Sequence, residues 1–175
     1  MIDNRNKTRF TRMCIAEAII DLLKKDDFNR IKISDVVKRA GVARMTFYKY
    51  YDSCYKALKD YLGIIISDYL EARRYHFEND DYMETEHIAF ALEFFDQYAD
   101  FFLILKKKGL YSLMIDGVND FMKEHIMKER NLTLYELYSY AGGLLNSFLM
   151  WEENGKKESS LAVAKAINHQ INNPL

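Results

Sequence analysis

Residues Ala40 to Ser53 read "AGVARMTFYKYYDS". Gly41 interrupts a helical pattern, and the ten residues after it hold three tyrosines, Arg44, Thr46 and Lys49. A glycine at such a point takes the left-handed conformation cheaply and ends a helix. A new helix then fits about Arg44 to Tyr50. At about 100° per residue, Phe47 and Tyr51 stand four apart and share one face, the side turned to the preceding helix. Met45, Thr46 and Lys49 project to the other side. Arg44 begins the helix, where it can reach a guanine edge or a phosphate. Tyr48 and Tyr50 flank the inner face, where a phenol can brace a sugar and donate to a phosphate. Aromatics at helical spacing are most often core, which suits Phe47 and Tyr51 but not the crowd of polar and ring side chains beside them.

Upstream, Ser34 is a good N-cap for a short helix ending at Ala40, with Val36 and Val37 inward and Lys38 and Arg39 wet. Before it, Ile15, Ile19, Leu22 and Leu23 make the stripe of a helix from Thr8 to Lys25, closed by the turn-prone Asp26, Asp27 and Asn29. Two short helices joined through a glycine corner and preceded by a supporting helix form a helix-turn-helix. Such a unit lays its second helix in the major groove of DNA.

The rest of the chain is expected to be helical too. Its 175 residues include a single proline, Pro174, and seven glycines, too few breakers for a strand-and-turn protein. Ser53 can cap a long helix to about Tyr75, and further helical patterns cover about 82–98, 100–108, 110–128, 133–154 and 158–172. The segments "FENDDYMETE" and "ENGKKESS", with Gly109 and Asn131, mark the joints. The expected division is a DNA-binding head over residues 1–52 and a regulatory, dimerising body over 53–175. Residues 1–60 carry 14 Lys plus Arg against 8 Asp plus Glu, and residues 61–175 carry 11 against 18, so a net charge of −1 conceals a basic head. That asymmetry points to a polyanionic partner. No stretch approaches the roughly 18 apolar residues of a membrane helix. The polar opening "MIDNRNKTRF" lacks a secretory pattern, and Cys14 and Cys54 fit no metal spacing. A cytoplasmic protein without membrane association is expected.

The run "IKISDVVKRAGVARMTFYKYYDSCYKAL", Ile31 to Leu58, resembles the DNA-binding signature of the TetR family of bacterial transcriptional regulators. The closing "YSYAGGLLNSFLMWEENGKKESSLAVAKAI" resembles the last two helices of one branch of that family. The resemblance implies an all-α homodimer that binds a palindromic double-stranded DNA operator, most often as a repressor released by a small molecule. The residues expected at DNA are then Ala43, Arg44, Met45, Thr46, Tyr48, Lys49 and Tyr50; the resemblance adds Lys32 at a phosphate, and the lysine missing at Cys54 would either weaken affinity or shift its phosphate contact to Lys56. Two departures stand out. Ala43 replaces a frequent serine cap, and Cys54 replaces a common lysine that touches phosphate. These losses leave open an alternative in which the fold serves as a helical protein-interaction module.

In the body, Leu134, Leu137, Tyr138, Ala141, Leu145, Phe148 and Leu149 recur at spacings of three and four. The stripe suits half of a dimer interface or an intrachain seam equally; the family resemblance favours the dimer. Gly142 and Gly143 beside it would let helices approach closely. Phe94, Tyr98, Phe102, Tyr111 and Met114 belong to a ring- and sulfur-rich middle that suits either a pocket for an apolar or aromatic effector or a dry core. Enzyme chemistry finds no footing. His76, His87, His125 and His169 lie 11, 38 and 44 residues apart, and Glu84 with His87 makes one Glu-x-x-His where a di-iron bundle needs two. No phosphate-binding loop or nucleophile motif occurs. No cofactor or metal is expected.

Overall fold

The computed structural model describes residues 4–78, 82–125, 127 and 132–172. Among these residues it is all-helical, with no strand. In order come α1 (Asn4–Leu23), a 3-10 turn (Phe28–Arg30), α2 (Ile33–Ala40), α3 (Arg44–Tyr50) and α4 (Cys54–His76). They are followed by α5 (Thr85–Asp96), α6 (Ala99–Lys107), α7 (Tyr111–His125), α8 (Leu134–Glu153) and α9 (Ser160–Asn172). Of the expected joint at 77–86, residues 79–81 lie outside the described residues, as does the expected joint at Asn131. The chain divides into two compact units, Met1–Ile65 and Ile66–Leu175, and the division falls within α4.

In the first unit α2 packs on α1 and α3 on α2. Its core is Ile15, Ile19, Leu23, Val36, Phe47 and Leu58, all fully excluded from solvent. Burying each such side chain contributes about 1.5–3 kcal/mol, which outweighs the modest helix propensity of so short a segment as α3. The cap of α2 differs from expectation. Lys32, not Ser34, stands at the N-cap, because the Lys32 carbonyl already accepts from the amides of Asp35 at 3.0 Å and Val36 at 3.2 Å. Ser34 therefore sits inside the helix. Ser53 does cap α4, its Oγ accepting from the Lys56 amide at 3.3 Å.

In the second unit α5 packs along α9, and α7 along α8. Thr133 opens α8 with a reciprocal box. Its Oγ1 accepts from the Glu136 amide at 3.3 Å, and Glu136 Oε2 accepts from the Thr133 amide at 2.8 Å. The Thr133 amide foremost, and then the Thr133 hydroxyl, which donates to the same Oε2 at 2.8 Å, hold the Glu136 carboxyl below its usual range. Asn168 of α9 donates to the Met83 carbonyl and to Thr85 Oγ1, both at 3.0 Å, which ties α9 to the start of α5.

The expected dimer stripe needs correction. Leu137, Ala141, Leu145, Phe148 and Leu149 are all buried within the single chain, so they form an intrachain seam. Leu137 and Ala141 pack with Met83, Met122 and Tyr140, and the Phe148 ring lies 5.3 Å from that of Phe102. Helical spacing reports that a face is covered, not which chain covers it. Only Leu134 and Tyr138 of the stripe are exposed.

Candidate nucleic-acid interface

The corner between α2 and α3 is built on Gly41, which takes φ +66° and ψ 29°. From there both the Gly41 and Val42 amides reach the Val37 carbonyl, the latter at 3.0 Å. This closes the last turn of α2 and sends the chain straight into α3. Ala43 stands at the N-cap of α3 in extended conformation and supplies no side-chain cap. Its carbonyl accepts from the amides of Thr46 at 2.9 Å and Phe47 at 3.3 Å.

Phe47 and Tyr51 form the inward face of this segment, at 0% and 6% exposure, with their rings 5.9 Å apart and edge-on. The outward side presents Met45, 79% exposed, with Arg44, Tyr48 and Lys49 also exposed. Arg44 Nη2 donates to the Tyr48 hydroxyl at 3.2 Å, and Lys49 Nζ lies 5.4 Å from the centre of the Tyr50 ring. Each cation therefore rests against a ring of its own helix, which narrows its freedom while leaving it in water. Thr46, expected on the open face, is half-buried; of the two tyrosines expected to flank the inner face, Tyr50 is half-buried and Tyr48 is exposed.

Around this helix, Lys32 is exposed at the start of α2 and Lys56 at the start of α4. Lys56 Nζ pairs with Asp52, whose carboxyl is held below its usual range by that lysine and by Ser53. The pair is open to solvent, so it is screened and easily exchanged for a phosphate. Cys54 lies buried where the TetR pattern commonly has lysine, and burial pushes its thiol up.

Sequence reading identified the Tyr51 ring as core but missed its hydroxyl, which donates to Asp60 Oδ2 at 2.6 Å on α4. It also missed Tyr69, the hub of the second unit's ring array. Tyr69 is 3% exposed, with ring centres of Phe95, Phe94, Phe121 and Phe90 at 5.1, 5.5, 6.0 and 6.1 Å. No local signal announces either contact, because the partners are distant in sequence. Of the expected pocket residues, Phe94 and Tyr98 pack 5.8 Å apart, and Phe102 meets Phe95 and Phe148. Met114 is fully buried, and the Tyr111 hydroxyl donates to Asn146 Oδ1 at 3.2 Å. The Glu84–His87 pair dissolves. Glu84 is exposed at the N-cap of α5, whereas His87 is buried with its Nδ1 3.2 Å from Arg73 Nη2.

No protein-family profile matches the chain. Over 50 residues it is 34% identical to the HTH-type dhaKLM operon transcriptional activator DhaS of Lactococcus lactis subsp. lactis (strain IL1403), a match spanning 29% of this chain and 27% of that relative. Among solved structures it is similar to a TetR transcriptional regulator from Streptococcus agalactiae 2603V, at 18% identity and a TM-score of 0.64, over 95% of this chain and 96% of the other. It is also similar to the transcriptional regulator FadR from Bacillus subtilis in complex with stearoyl-CoA, at 16% identity and a TM-score of 0.55, over 91% and 96% of the two chains. The chain has the fold of the TetR and FadR regulators along nearly its whole length. No helix among the described residues is long and apolar enough to cross a membrane.

Proposed function

We propose that this chain is a cytoplasmic TetR-family regulator that reads duplex DNA through α3 as a homodimer. One observation carries the reading. On a seven-residue helix, Arg44, Met45, Tyr48 and Lys49 face water while Phe47 and Tyr51 anchor the back. A helix held only by its rear face, with cations and an apolar tip in front, is suited to base edges and phosphates. Lys32, Lys56, Thr46, Tyr50 and the Ala43 backbone would flank it at the sugar-phosphate chain. The regulators with which the chain shares its fold support this assignment.

A single short helix reads few bases, so the reading includes a two-fold dimer. With five stripe residues turned inward, the outward face of α8 becomes the partner surface. Leu134, Tyr135, Tyr138 and Met150 are exposed there, and a Cβ added to Gly142 or Gly143 would meet no atom of the chain within 4 Å. The effector, on this reading, enters the ring-rich second unit near Phe94, Tyr98, Phe102, Tyr111 and Met114. The FadR complex with stearoyl-CoA supports a ligand with a long apolar portion. Because α4 belongs to both units, a shift at its second half would reach the first. A coupling of about 1–3 kcal/mol would alter operator affinity roughly 5- to 150-fold.

The uncapped Ala43 and the buried Cys54 favour a second reading, a helical module that docks on another protein. The test is selection of bound sequences from a randomised duplex pool, followed by titration of the selected duplex at two salt concentrations. Enrichment of a palindrome, bound with steep salt dependence and lost in the double variant Arg44→Ala, Lys49→Ala, is the expected result. A pool that never enriches would set the DNA reading aside in favour of the docking module.

A further inference from the structure

Arg12 on α1, Tyr51 at the end of α3 and Asp60 on α4 meet in one cluster of the first unit, although 39 and 48 residues separate Arg12 from the other two. Tyr51 donates from its hydroxyl to Asp60 Oδ2 at 2.6 Å. Arg12 donates from Nε to the same oxygen at 2.8 Å and from Nη2 to Oδ1, so its fork engages both carboxylate oxygens. Arg12 Nε also lies 3.4 Å from the Tyr51 hydroxyl. The hydrogen bond to Asp60 holds the Arg12 guanidinium above its ordinary range, and burial does the same for the Tyr51 phenol, so the phenol remains a donor.

The packing role of Tyr51 does not need this hydroxyl. A phenylalanine would fill the same space, and burying a phenol is favourable only if its oxygen finds a partner. The partner is a carboxylate on a different helix, itself gripped by an arginine from a third. Tyr51 is the residue immediately after α3, and its amide closes on the Phe47 carbonyl at 2.9 Å. Fixing the Tyr51 hydroxyl therefore fixes the C-terminal end of α3 in rotation as well as in depth. At the other end Ala43 supplies no side-chain cap, so the orientation of α3 leans on this C-terminal tether.

We infer that Arg12, Asp60 and Tyr51 are positioning residues that set the angle at which α3 presents Arg44 and Met45 to base edges; the inference rests on the DNA-binding reading. The cluster touches no base itself. It converts α1 and α4 into a rigid seat, and it acts on discrimination between sequences rather than on attraction to the backbone.

The test compares Tyr51→Phe and Asp60→Asn with the wild type in three measurements on the full-length chain. These are affinity for the selected duplex, affinity for a random duplex with its salt slope, and deuterium exchange of the α3 amides relative to α1 in the free protein. Removing the hydroxyl in Tyr51→Phe, and with it the 2.6 Å bond to Asp60 and the longer one from Arg12, should weaken the selected duplex about fivefold. The random duplex and its salt slope should be unchanged, and exchange over residues 47–50 should quicken. Asp60→Asn should lower the ratio of selected to random affinity further, since it loosens both partners of the carboxylate. An unchanged ratio in Tyr51→Phe, with only a lower unfolding temperature, would show a mere structural staple and overturn the inference. If the wild type selects no duplex, the DNA-binding reading fails separately. The α3 exchange rates then still decide whether the cluster holds the helix, and equal rates in Tyr51→Phe and wild type would sink it.

Discussion

Arg44 Nη2 donates to the Tyr48 hydroxyl at 3.2 Å, and its guanidinium carbon lies 5.6 Å from the centre of the Tyr48 ring. The two are one helical turn apart and both exposed, so the contact costs no burial and pre-aims a side chain rich in rotamers. Arg44→Ala should therefore weaken the selected duplex by about 1–3 kcal/mol and relax specificity at one base position. Tyr48→Phe keeps the ring beneath the guanidinium and should cost less than Arg44→Ala. Anisotropy titrations over a set of duplexes, each with one substituted base pair, would check both. A uniform loss across all of them would reassign Arg44 to a phosphate.

At the corner, Gly41 holds φ +66°, and an added Cβ would meet nothing within 4 Å. The cost of Gly41→Ala is then backbone strain alone, about 1–2 kcal/mol. Urea unfolding should show the midpoint falling with no change in slope. Equal stability would mean that the left-handed corner is not maintained in solution.

Ala43 offers no side-chain acceptor to the first turn of α3. Ala43→Ser should raise stability by about 1 kcal/mol. If the TetR pattern of a serine phosphate contact also holds here, duplex affinity should rise with it. Stability gained without affinity would place the N-terminus of α3 away from the backbone of the DNA.

Gly143 is exposed on α8 with open space around its missing Cβ. A glutamate there has room within one chain but none in a close helix-to-helix contact between two. Gly143→Glu should leave the helical circular dichroism intact and shift sedimentation from dimer to monomer. A variant that still sediments as a dimer would move the interface off this face.

Glu152 is buried at the end of α8, with Oε1 lacking a hydrogen-bond partner among the described residues. Burial, reinforced by the nearby Asp96 carboxylate and opposed by Lys156, pushes its carboxyl from the ordinary 4.5 up to about 7. The folded chain thus holds this proton more tightly than the unfolded chain does. Its stabilising contribution is full below pH 4.5, declines as pH rises, and is lost above about pH 7. Glu152→Gln keeps the neutral shape at all pH values. Relative to the wild type, its unfolding temperature should match at pH 4.5 and gain progressively up to pH 8, by roughly 2–4 °C for each kcal/mol recovered. A constant difference across that range would show that Glu152 stays ionised in the folded chain.

Much of the candidate site was legible from residue order alone, because local rules govern it. The corner at Gly41 follows from the left-handed conformation, and the limits of α3 at Arg44 and Tyr50 match the structure. The inward placement of Phe47 and Tyr51 follows from helical period. The α2 cap was misjudged because Ser34 satisfies a composition rule, while the Lys32 carbonyl had already closed the first turn.

Tertiary structure alone decided the rest. Period could show that Leu137, Ala141, Leu145, Phe148 and Leu149 are covered, but not that α6, α7 and α9 of the same chain pack on α8 to cover them. It could place the Tyr51 ring, but not the carboxylate 9 residues on or the arginine 39 residues back that hold its hydroxyl. A helix carries its period within about four residues of chain, so one-dimensional order reports which face is buried. The identity of the neighbour depends on how distant segments come together in three dimensions, and only the folded chain contains that information.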